Sequence, residues 1–75
     1  MTTTAHETRW VVSHNLRKIR REKGYTQQSF ADELCVTRSA IGSYEEHRAD
    51  VPLYLIINIC KIFELDISQF VTRKI

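Results

Sequence analysis

Apolar residues recur along this chain at the three- and four-residue spacing of helices, and no stretch shows the two-residue alternation of a strand. Val12, Leu16 and Ile19 share one face of a stretch from Trp10 to Lys23. Gly24 ends it, because glycine enters the left-handed conformation past a helix end without steric cost. Thr4 and Glu7 fit a capping box that would start this helix earlier. Otherwise residues 1–9 read as a loose, polar tail ahead of a single domain spanning 10–75. A second helix is expected over 26–34, capped by the Thr26 hydroxyl, with Tyr25 and Phe30 as a hydrophobic staple and Phe30, Ala31 and Leu34 facing inward. After a turn at Cys35-Val36, Thr37 caps a third helix over 37–45, with Ile41 and Tyr44 buried.

The second half is more apolar. A loop from His47 to Val51 leads to Pro52, which suits a first helical turn. The fourth helix carries Leu53, Ile56, Ile57, Cys60 and Phe63 on one face, and Leu55, Ile59 and Ile62 beside them. A helix apolar almost all round must be covered on more than one side. Asp66 and Gln69 form a capping box for a fifth, with Leu65 and Phe70 as staple and Ile67, Val71 and Ile75 as further apolar members. The expected fold is all-α, five helices in one compact domain. At 75 residues it buries roughly 60% of its unfolded surface, a modest core.

The most informative segment is Thr26 to Glu46, TQQSFADELCVTRSAIGSYEE. Two short amphipathic helices joined by a tight turn place a polar face (Arg38, Ser39, Gly42, Ser43) opposite the apolar Ile41 and Tyr44. A helix-turn-helix presents side chains to a DNA major groove in this way. Counting from Gln27, apolar residues fall at positions 4, 8, 10, 15 and 18, and the small Ala31 stands at position 5, where the helices cross most closely. A larger side chain there would wedge them apart.

Charge alone would not suggest DNA. The formal net charge is +2, and it is unevenly spread. Residues 1–24 carry +4, residues 25–50 carry −3 and residues 51–75 carry +1. The Arg17, Lys18 and Arg21 run reads first as a solvated helix face and second as a phosphate patch. Cys35 and Cys60 lie 25 positions apart, outside any metal-ligand spacing, and read as small buried apolar residues. The longest apolar run, Leu53 to Ile57, is five residues, far short of the roughly 20 that span a bilayer. A cytoplasmic location is expected, without membrane, metal, cofactor or small-molecule ligand.

These blocks resemble the phage-repressor and Cro type of helix-turn-helix family, the xenobiotic-response-element family. The likeness runs over residues 16–70: LRKIRREKGYTQQSFADEL, VTRSAIGSYEEHRA, the helix containing IINICKIF, and LDISQF. It implies a compact five-helix, lambda-repressor-like domain that binds double-stranded DNA as a dimer. It places Thr26, Gln27, Gln28, Thr37 and Arg48 near phosphates; at the start of the second helix, backbone amides and the helix dipole favour an anion. It sets Arg38, Ser39, Gly42 and Ser43 at base edges. Arg38 is the leading reader, since its planar fork can donate twice to guanine. It pairs Arg20 with Glu45 between the first and third helices.

Three positions depart from the family pattern. Cys35 and His47 stand where glycine is usual, and a left-handed backbone there stores about 1–2 kcal/mol each. Glu46 would repel the phosphate it faces. Leu55 and Ile62, usually polar or small in the family, suggest a homodimer interface together with Ile67, Val71 and Ile75; extra packing beneath the first helix and Trp10 is the other reading. The expected function is a small bacterial or phage transcriptional regulator, nucleoid-associated and resembling Cro-like repressors or restriction-modification controllers. An antitoxin or other protein-interaction module is the alternative. His6, His14 and His47 lie apart without a nucleophile–base pairing, so an enzyme is not expected.

Overall fold

The computed structural model describes residues 5–75, with side chains from Glu7 onward. It has five helices: α1 (Ala5–Glu22), α2 (Gln27–Leu34), α3 (Arg38–Glu45), α4 (Leu53–Ile62) and α5 (Ile67–Thr72). No strand occurs among the described residues. Residues 5–9, read above as part of a tail, are helical. The cap proposed at Thr4 lies outside the described residues.

The caps follow the local chemistry. Thr26 accepts from the Ser29 amide while the Ser29 hydroxyl accepts from the Thr26 amide, a reciprocal box. Thr37 accepts from the Ala40 amide at 3.1 Å, and Asp66 from the Gln69 amide at 3.2 Å. Pro52 is the N-cap residue of α4, one place ahead of the first turn.

Four helices end alike. The amide two residues beyond each helix's last full turn reaches back to a carbonyl five residues earlier: Tyr25 to Arg20, Val36 to Ala31, Arg48 to Ser43 and Leu65 to Cys60, at 2.8–2.9 Å. Each closure needs one left-handed residue. Gly24 supplies the first at φ +80°, but Cys35, His47 and Glu64 supply the others at φ 58°, 60° and 56°. The strain expected at Cys35 and His47 is therefore present, and Glu64 adds a third instance. Satisfying the last carbonyls of each helix offsets it.

The core joins Val12, Leu16 and Ile19 of α1 to Phe30, Ala31 and Leu34 of α2, Ile41 of α3, Leu55, Ile56, Ile59 and Cys60 of α4, and Phe70 of α5. Tyr25, Phe30 and Phe63 make an aromatic cluster with ring centroids 5.5–6.0 Å apart. Helix α1 packs on α3 and α5, α2 on α3 and α4, and α4 on α5. Three expectations need correction. Leu55 is 0% exposed, a central core residue that cannot also face a partner. Leu53 points outward, because α4 turns its Leu55–Ile56–Ile59–Cys60 stripe to the core. Cys35 is exposed, as its left-handed position at the turn dictates, and Cys60 alone is buried. Burial, with Asp66 nearby, pushes the Cys60 thiol up and keeps it protonated.

Asn15 is a core polar residue that periodicity does not reveal. It is fully buried on α1, where its amide nitrogen donates to the Phe70 and Arg73 carbonyls at 2.7 and 2.6 Å. Its oxygen accepts from the Ile75 amide at 2.9 Å. One side chain thus ties the C-terminal segment to the first helix, with its donors and acceptor used.

Candidate nucleic-acid interface

Helices α2 and α3 form a rigid pair because buried groups fix both ends. At the turn, Phe30, Ala31 and Leu34 pack with Ile41. At the far end, Arg20 of α1 reaches Glu45 of α3 through two parallel bonds, Nε to Oε2 at 2.6 Å and Nη2 to Oε1 at 3.0 Å. Arg20 also donates to the Tyr25 carbonyl at 2.9 Å, and Gln27 donates to Glu45 Oε1 at 3.2 Å. The buried charges are therefore paired and hydrogen-bonded on both sides, as buried charges must be. The pair expected between Arg20 and Glu45 is present, and it fastens α1, the start of α2 and the end of α3 at one point.

With Ile41 fully buried, the outward side of α3 is set. Arg38 and Ser39 are exposed and Ser43 is half-buried. Arg38 makes no hydrogen bond or ion pair with another described residue. Gly42 is different. It shares their helix but is buried, and the charged ends of Glu46 and Arg48 lie close to it. The expectation that Gly42 lies open on this face is corrected accordingly. Tyr44 is half-buried; burial, with Tyr54 adding to it, pushes its phenol above the ordinary value.

Four of the five expected phosphate neighbours lie at two helix starts, and Arg48 lies in the loop after α3. Thr26 and Thr37 are exposed N-caps, and Gln28 is exposed with its amide on Asp32 at 2.9 Å. Gln27 contributes its backbone position at the start of α2, since its side chain is engaged with Glu45. Arg48 is exposed but joined to Glu46 at 2.7 Å. Arg17 comes within 3.9 Å of Glu45, so the α1 patch borders this surface.

Sequence reasoning missed what supports the loop after α3. Trp10 and His47 rings meet with centroids 3.8 Å apart, and Arg9 pairs with Asp50. Together with Val12, Ser13, Ala49 and Val51 they line a cleft of about 140 Å³. Trp10 already stands at the start of the expected first helix, but Arg9 reads as tail and acquires a role only once α1 is known to begin at Ala5. No group of His, Cys, Asp and Glu able to hold a metal occurs among the described residues, and no helix there is long and apolar enough to cross a membrane.

Comparison with known proteins gives the same frame. The family model described as Helix-turn-helix matches residues 16–70. The chain is 38% identical over 56 residues to a protein of Bacillus subtilis (strain 168) named uncharacterized HTH-type transcriptional regulator YqaE, covering 75% of this chain and 48% of that one. It is 40% identical over 47 residues to the SPbeta prophage-derived uncharacterized HTH-type transcriptional regulator YonR of the same organism, covering 63% and 44%. The chain thus spans less than half the length of these relatives. No solved structure matches it significantly. With the two-helix unit, its buried ion pair and the five-helix frame all in place, the chain belongs to the phage-repressor and Cro type of the helix-turn-helix family.

Proposed function

We propose that this chain binds double-stranded DNA sequence-specifically as a transcriptional regulator, with α3 in the major groove. The observation that carries this reading is the division of α3: Ile41 and Glu45 are buried and fastened, while Arg38, Ser39 and Ser43 face outward on a rigid rod. Arg38 reads bases and the two serines bond them with little discrimination. Thr26, Gln27, Gln28 and Thr37 sit at helix starts, where backbone amides attract phosphate. Selection of bound fragments from a genomic library, followed by mobility shift at several salt concentrations, tests this. A steep fall of affinity with salt and one enriched motif are expected. Equal retention of all fragments would end the claim of sequence specificity.

The same reading includes a homodimer on a near-palindromic operator, with recognition helices about 34 Å apart. Ile62, Ile67 and Ile75 are exposed and Val71 is half-buried, so these four can meet a second copy; Leu55 cannot. Sedimentation at low micromolar concentration should show a dimer, and a strictly monomeric chain would remove it. A protein partner, as for an antitoxin, is the second reading. It is favoured by the exposure of Leu53 and Tyr54 on α4, at 65% and 59%. Co-purification with the product of a neighbouring gene would support it.

A further inference from the structure

We propose that Glu46 is a built-in competitor of DNA phosphate for Arg48, and that this pair sets the protein's affinity for DNA without altering its sequence preference. The inference rests on the DNA-binding reading above. Arg38, Gly42 and Glu46 follow one another at four-residue spacing, so they form one stripe along α3 and its cap. The stripe begins with an open arginine and ends with a closed, neutral pair. Arg48 Nη2 donates to Glu46 Oε2 at 2.7 Å. A second observation shows where the pair lies. A Cβ built on Gly42 would stand 3.6 Å from Glu46 Oε2 and 3.9 Å from Arg48 Nη2. The two charged ends therefore lie beside Gly42 on this stripe, while each side chain stays largely open to solvent.

This arrangement sets up a competition. A guanidinium bound to a carboxylate has a weaker call on phosphate, and the carboxylate left behind repels the same phosphate once Arg48 turns away. Both effects act on the DNA backbone, which carries no sequence information. The pair is more than half exposed on each side, so it opens readily and its influence is moderate. Arg38, one turn from Gly42 and outside the pair, keeps its reading role in either state. The placement is also independent of the fold: neither partner touches the buried Arg20–Glu45 junction.

The test uses the full chain with Glu46→Gln, Arg48→Ala and the double variant. Fluorescence anisotropy is read on a selected duplex and on a scrambled one, across a salt series. Glu46→Gln should tighten both duplexes by the same factor, about three- to tenfold. It should also steepen log K against log salt by about 0.9, the mark of one more phosphate neutralised. Arg48→Ala should weaken the Glu46→Gln protein more than it weakens the natural one. Binding by the natural chain that Glu46→Gln leaves unchanged on both duplexes overturns the gate alone. An effect confined to the selected duplex also overturns it, and makes Glu46 a base reader. If neither protein binds any duplex, the DNA reading falls and takes the gate with it.

Discussion

Glu45 and Glu46 are neighbours at the end of α3, and each is hydrogen-bonded to an arginine. The Glu45 side chain is 4% exposed and receives Arg20 through two bonds, with Gln27 adding a third. The Glu46 side chain is 63% exposed and receives Arg48 through one. The helix itself causes the difference, because consecutive residues are rotated by about 100° and cannot both face α1. The contrast teaches that an ion pair means little without its surroundings. Buried, it holds three elements in register; exposed, it is held by one bond and opens readily.

The largest effect should come from breaking the first pair. Glu45→Ala leaves Arg20 buried and unpaired, at a cost of about 3–5 kcal/mol. A chain of this size has roughly 4–11 kcal/mol in total, so the variant should be partly unfolded at 37 °C. Glu46→Ala should cost under about 1 kcal/mol. Urea denaturation of both variants compares them directly, and equal losses would erase the distinction between the two carboxylates.

Next comes a buried polar group without charge. Asn15→Ala leaves the Phe70 carbonyl without its donor, at about 1–3 kcal/mol, and frees the Ile75 amide. Hydrogen exchange should show faster exchange at Ile75 with α2 and α3 unaffected. Unchanged protection there would mean that the C-terminal segment is held by Phe70 packing alone.

Arg38→Ala sharpens the outward side of the same comparison. It should relax preference at one or two base positions by about 1–3 kcal/mol while stability stays within about 0.5 kcal/mol. Competition binding with singly substituted operators measures the first, and melting the second. Retained preference would move the reading role to Ser39 or Ser43.

The legible parts of this molecule were those with local causes. Thr26, Thr37 and Asp66 cap helices because a side-chain oxygen reaches an amide three residues on, which spacing alone reveals. The Arg20–Glu45 pair was legible only through family likeness, since 25 residues separate its members. What failed depended on packing direction. Leu55 and Leu53 are both apolar residues of one helix, and periodicity on a helix apolar almost all round cannot say which faces the core. Gly42 looked open because glycine has no side chain to read, yet it is buried, with the charged ends of Glu46 and Arg48 close by. Asn15 looked like an ordinary polar helical residue, because its three partners come from the other end of the chain.

His47, next in the chain after Glu46, gives the finest test. It and Cys35 hold nearly the same left-handed backbone, φ 60° and 58°, and both close a helix end by the same hydrogen bonds. Glycine at either site relieves about 1–2 kcal/mol of strain. Part of this is cancelled by the greater freedom of glycine in the unfolded chain, about 0.4–1 kcal/mol. Cys35→Gly should therefore raise stability by roughly 0.5–1 kcal/mol, a few degrees in Tm for a domain of this size. His47→Gly receives the same relief but loses the ring contact with Trp10, worth about 0.5–1.5 kcal/mol. Its melting point should stay level or fall. If His47→Gly instead gains as much as Cys35→Gly, the Trp10 contact contributes nothing, and Trp10 does not brace the loop that carries Arg48. If it falls, the left-handed histidine is retained because its ring, unlike the exposed thiol of Cys35, has a partner that glycine cannot reach.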